Sequence, residues 1–132
     1  MATMRFTTRI SRPVDDVWKA VSVPDTIAEW FTGVISSETH GNIRRVTGGT
    51  DGNVGTVEDE IVTSDDQLRR FQYRVAAVEG HLATIDVLEI GSNDTLVIYS
   101  VELSSAELAE GWRPYMEGGI KGLKQYAESR AG

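Results

Sequence analysis

The chain has 132 residues, 40% of them hydrophobic, which is enough for one domain with a real core. It contains no Cys, so disulfides, thiolate metal sites and a Cys nucleophile are excluded. A net charge of -7 argues against general nucleic-acid binding, which needs Lys and Arg to meet phosphate.

Residues 1–5 hold no apolar run that would read as a signal peptide, and no stretch approaches the length of a membrane span. The default expectation is a cytoplasmic protein. From Arg5 to Ser11, Phe6, Thr8 and Ile10 alternate with Arg5, Thr7 and Arg9, the pattern of a strand with one buried face. Ser11 then suits a helix N-cap and Pro13 a first helical turn. Val14, Val17, Trp18 and Val21 keep helical spacing. A second short helix follows Pro24, with Ile27, Ala28, Trp30 and Phe31 on its apolar side and Gly33 at its end.

The period then changes to that of strands. Val34 to Thr39 and Asn42 to Thr47 are two short ones joined at His40-Gly41. Gly48 to Asn53 reads as a loop by composition, and its glycines predict mobility near a cavity mouth. Val54 to Thr63 is a longer strand turning at Ser64-Asp65-Asp66. From Leu68 to Val78, Phe71, Tyr73, Val75 and Ala77 share the inward face. Glu79-Gly80-His81 reads as a turn. Leu82 to Ile90 and Leu96 to Leu103 are two more strands, the second with Val97, Tyr99, Val101 and Leu103 inward and Glu102 outside.

Ala106 to Arg130 closes the chain as one helix, roughly 37 Å long at 1.5 Å per residue. Leu108, Trp112, Tyr115, Met116, Ile120, Leu123, Tyr126 and Ala127 fall on one face. Pro114 kinks this helix unless the helix begins near Trp112. Gly118, Gly119 and Gly122 weaken it by about 1 kcal/mol each, and they also let it lie close to a neighbour. Short turns between consecutive strands favour an antiparallel sheet, and a long amphipathic helix can cover its concave face.

On these residues the chain resembles a known superfamily. Ile10 to Ala20, Pro24 to Phe31 with its ending Glu29-Trp30-Phe31, Gly52 to Val57 and the closing helix are similar to the START / Bet v 1-like superfamily, often labelled polyketide cyclase/dehydrase. The resemblance spans nearly the whole chain. It implies an α+β helix-grip fold: a seven-stranded curved antiparallel sheet around the long C-terminal helix, two short helices after the first strand, and a cavity between sheet and helix. One domain, residues 1–132, is expected. The superfamily includes carriers, hormone receptors, aromatase/cyclases and chaperone activators, so it indicates where a ligand sits rather than which one.

Asp59 is the acid of most interest. One register of its strand buries Val57, Asp59 and Ile61; the other buries Thr56, Glu58, Glu60 and Val62. The first is preferred because it hides one carboxylate instead of two. Asp59 then becomes an acid, base or anchor with a raised pKa, or an Asp that is satisfied by a neighbouring Tyr, Arg or water or that simply faces solvent. Asp86 fits either face. Tyr73 and Tyr99 can donate to a carbonyl or stack on an aromatic ligand, and with Asp59 they form the candidate catalytic set. Trp30, Phe71, Val75, Val101, Trp112, Met116 and Ile120 are the candidate ligand-binding set. Of adjacent Arg44 and Arg45 at most one faces inward; Arg45 is either a solvated arginine or, if inward, one that can hold a ligand carboxylate.

No metal-ligand spacing, Gly-x-Ser-x-Gly turn or phosphate loop appears, so neither metal nor cofactor is expected. The leading expectation is a binder of a small hydrophobic, aromatic or polyketide-like molecule. A metal-free polyketide aromatase/cyclase or dehydratase is the alternative, and a protein-interaction module of the chaperone-activator type comes third. A monomer or homodimer, with no nucleic-acid partner and no membrane span, completes the reading.

Overall fold

Antiparallel pairing of consecutive strands builds the scaffold. A computed structural model describes residues 1–50 and 53–130. The strands are β1 (Ala2–Ile10), β2 (Val34–His40), β3 (Ile43–Thr50), β4 (Asn53–Asp65), β5 (Arg70–Val75), β6 (Leu82–Gly91) and β7 (Asp94–Leu103). They form one seven-stranded sheet in the order β1-β7-β6-β5-β4-β3-β2, every neighbouring pair antiparallel. Between β1 and β2 the chain forms α1 (Val14–Ser22), a 3-10 turn at Pro24–Thr26 and the short α2 (Ile27–Trp30). α3 (Ala106–Ser129) closes the chain and packs on β1, β7 and α2. This is the expected α+β helix-grip arrangement.

The alternation of β7 is carried through its whole length: Val97, Tyr99, Val101 and Leu103 are sealed, and the residues between them face out. β1 lies beside it with Met4 and Ile10 buried. Leu123, Met116 and Ile120 of α3 close over this face. Trp18 buries its ring under α1 while its Nε1–H donates to Asp66 Oδ1 at 2.8 Å, which satisfies its polar edge.

Several local expectations change. Ser11 does not cap α1; Pro13 holds the N-cap place, and the Ser11 N–H donates to Glu128 Oε2 at 2.9 Å. α3 begins at Ala106, capped by Ser105 Oγ accepting from the Leu108 N–H, so Pro114 lies inside the helix. Leu108 and Tyr115 are exposed rather than part of its buried face. β5 ends at Val75, which leaves Ala77 exposed in the following turn. Gly48 and Gly49 belong to β3 and Asn53 to β4, so the loop expected over 48–53 is strand at both ends. Its centre, Asp51 and Gly52, lies outside the described residues.

Two glycines of α3 are there for contact rather than for weakness. A Cβ on Gly119 would stand 2.7 Å from the Phe31 ring, and one on Gly122 would stand 1.9 Å from the Trp30 carbonyl oxygen. The helix therefore rests directly on the backbone of α2 and the residue after it. This contact sets the position of Phe31, which matters below.

Candidate functional site

β3 and β4 pair so that Arg44 stands opposite Asp59 and Val46 opposite Val57. All four side chains share the inward side of the two strands, so the preferred register of β4 is the observed one. Asp59 is 5% exposed and Arg44 2%. The Arg44 Nε–H donates to Asp59 Oδ1 at 3.1 Å and its Nη2 to Oδ2 at 3.0 Å, while Nη1 donates to the Pro24 carbonyl at 3.1 Å. The guanidinium also lies over the Tyr73 ring, 4.8 Å from its centroid, and 5.6 Å from that of Phe71. The inward arginine is thus Arg44, not Arg45. Arg45 is exposed and pairs with Glu58 on the outer face. Burial pushes the Asp59 carboxyl above its usual range, against the charge and hydrogen bonds of Arg44 that pull it down. Asp86 faces out and pairs with Arg70.

Beside this pair a cavity of about 320 Å³ opens between the sheet, α2 and the first half of α3. Ligand pockets run from roughly 300 to 1,000 Å³, so this one suits a small molecule. Its wall is mainly apolar and aromatic: Ile27, Phe31, Val34, Val46, Val57, Val75, Trp112 and Tyr115. The polar part is Asp59, Tyr73 and His81. Tyr115, 60% exposed, and Val57 stand at the solvent side.

The predicted site residues divide in two. Asp59, Tyr73, Val75 and Trp112 line the cavity. Trp30, Phe71, Tyr99, Val101, Met116 and Ile120 are buried in the core and stay outside its lining. Tyr99 reaches the site indirectly, because its hydroxyl is hydrogen-bonded to that of Tyr73. Burial raises the pKa of Tyr73 and raises that of Tyr99 further, so both keep their protons at neutral pH.

His81 was not expected here. It reads as a turn residue, yet it is 1% exposed and lines the cavity. Its Nδ1 accepts the Val75 N–H at 3.0 Å. Its ring lies between Tyr73 and Trp112, with centroids 5.8 and 5.5 Å away. Burial, with a smaller push from Arg74, lowers its pKa to about 4, so the imidazole is neutral at neutral pH. The signal for it was present in the sequence: His81 is in phase with Ala83, Ile85 and Val87, the inward residues of β6.

A second hollow of about 270 Å³ lies between α1 and the last turn of α3, edged by Arg12, Asp16, Lys19 and Arg130. It includes none of the predicted site residues. Among the described residues no group of three His, Cys, Asp or Glu is placed to hold a metal ion, and no helix is long and apolar enough to cross a membrane.

Comparison with known proteins agrees with this architecture. A family model described as polyketide cyclase / dehydrase and lipid transport matches residues 1–128. No curated protein gives a significant match. Among solved structures, the protein XoxI from Bacillus cereus is 21% identical, with all of both chains covered and a TM-score of 0.83. The Zhui aromatase/cyclase from Streptomyces sp. R1128 is 14% identical over 99% of this chain and 96% of that one, with a TM-score of 0.81. A START superfamily protein from Mycobacterium smegmatis is 10% identical over 96% of this chain and 97% of that one, with a TM-score of 0.82. At these identities the likeness is one of fold.

Proposed function

The chain belongs to the polyketide cyclase / dehydrase and lipid transport family, within the START / Bet v 1-like superfamily, and from that premise we propose that it binds a small hydrophobic, aromatic or polyketide-like molecule in the cavity beside α3. The observation that carries this reading is the cavity wall itself, apolar and aromatic nearly throughout, with a few converging polar groups. Phe31, Trp112 and Tyr115 offer ring faces and edges to an aromatic guest. Tyr73 supplies a hydroxyl held by Tyr99.

Binding is favoured over cyclase or dehydratase chemistry by the state of Asp59. A general base must turn an oxygen toward the proton it takes. Both Asp59 oxygens already accept from Arg44, and Arg44 is anchored on Pro24. The pair serves as a neutral floor that orients Tyr73. The interaction-module reading has no comparable support, since it expects a closed interior in place of an open cavity.

Native mass spectrometry of protein purified from its own host tests the proposal. The expected result is a second species carrying a small apolar molecule, released by organic solvent. Protein that stays apo, and that also takes up no apolar fluorescent probe up to the probe's solubility limit, contradicts it.

A further inference from the structure

We propose that His81 selects the ligand: its Nε2–H donates a hydrogen bond to a carbonyl or phenol oxygen of an uncharged aromatic molecule held in the cavity. The inference rests on the cavity being the ligand site, and it adds the class of ligand.

The tautomer follows from the backbone. Val75 N–H points at Nδ1, so Nδ1 must present its lone pair, and a neutral ring then carries its proton on Nε2. The ring cannot easily turn away, because Tyr73 and Trp112 flank it and the Val75 bond would be lost. Nε2 has no hydrogen-bond partner among the described residues, whereas Nδ1 has one. It is not a sealed orphan either: the sole sealed side-chain nitrogen or oxygen without a partner among the described residues is Arg12 Nε. The open space that His81 lines is the cavity. A fixed donor therefore faces an apolar space, and a ligand that brings no acceptor leaves it unmatched once water is displaced.

The charge of the ligand follows from the same wall. The ionisable pair beside the cavity, Arg44 and Asp59, is matched one to one by direct hydrogen bonds. A ligand carboxylate or ammonium would enter with no free countercharge, which is costly in an apolar site. A neutral ketone, quinone or phenol carries an acceptor without that cost.

The test is a matched pair of probes, 2-acetylnaphthalene and 2-isopropenylnaphthalene. They share shape and differ in a carbonyl oxygen against a CH2. Calorimetric or fluorescence titration should give the ketone about tenfold tighter binding to the unaltered protein, the upper range for one neutral hydrogen bond. In His81→Phe the two affinities should converge, with the hydrocarbon still bound. Equal affinities in the unaltered protein, or a preference that survives in His81→Phe, would overturn the role of His81 and leave the cavity reading standing. If neither probe binds the unaltered protein, the cavity reading falls and takes this inference with it. Should His81→Phe fail to fold, long-range nitrogen NMR of the unaltered protein decides. The ketone should shift the His81 Nε2 resonance and the hydrocarbon should not. A ketone that shifts Trp112 but leaves Nε2 unmoved contradicts the proposal.

Discussion

Acid should unfold this domain in a way that can be traced to one residue. The pKa of His81 falls from 6.5 in the unfolded chain to about 4 in the folded one, first through burial. Between those values the unfolded chain binds a proton that the folded chain does not. Stability from this group is therefore complete above pH 6.5 and is lost as pH falls toward 4. A shift of that size corresponds to about 3 kcal/mol at 1.36 kcal/mol per pH unit. His81 is 1% exposed, with its ring packed between Tyr73 and Trp112. Carboxylates titrate over the same range, so the comparison must be with a variant that shares them. His81→Gln does so, and its amide oxygen can still accept the Val75 N–H. It should start less stable at pH 7, since the ring contacts with Tyr73 and Trp112 are gone. Urea unfolding at steps from pH 7 to 4 should then show the gap between the two proteins closing by about 3 kcal/mol. A gap that stays constant across that window would mean that His81 is protonated or solvated in the folded state, and the cavity geometry argued from it would fail.

Other substitutions probe other parts of the molecule. Arg44→Met should cost about 3–5 kcal/mol at neutral pH, because it leaves the Asp59 carboxylate buried without its partner. That cost should shrink in acid as Asp59 takes up a proton, and the double variant Arg44→Met/Asp59→Leu should recover most of it; denaturant curves at two pH values check both statements. Leu123→Ala should lose about 2–5 kcal/mol, since Leu123 is fully sealed beneath α3; a loss below half a kcal/mol would place the helix face elsewhere. Gly122→Ala gains about 1 kcal/mol of helix propensity, yet its new methyl would meet the Trp30 carbonyl. The net result should be a lower Tm, together with weaker probe binding as α2 and Phe31 are pushed aside.

Much of the fold was legible because two periods were clean. β7 alternates without interruption, and the buried stripe of α3 from Met116 to Ala127 keeps its spacing. The site was harder, for reasons that are physical. Register on β4 turned on the cost of hiding charges, which correctly favoured burying Asp59 alone. The partner of Asp59 was missed because Arg44 and Arg45 look alike in sequence. Their faces are decided by cross-strand pairing, which puts Arg44 opposite Asp59 and Arg45 opposite Glu58. His81 was hidden by its neighbour Gly80, whose positive φ ends the turn one residue before the inward phase of β6 begins. Leu108 and Tyr115 keep helical spacing but lie on the exposed first half of α3, where Tyr115 edges the cavity instead of the core. Periodicity identifies an inward face and does not separate a core wall from a cavity wall. That is why the pattern does not separate Phe71 and Val101, which lie in the core, from Val75, which lines the cavity.

The central claim is that a small aromatic molecule occupies the cavity beside α3. Chemical-shift mapping of the labelled protein during titration with 1-naphthol tests it most directly. Saturable shifts should be largest at Phe31, Val46, Val57, Tyr73, Val75 and Trp112, which line the cavity from three strands, the residue after α2, and α3. Shifts that never saturate, or that gather instead around Lys19 and Tyr126 in the hollow between α1 and α3, would contradict it.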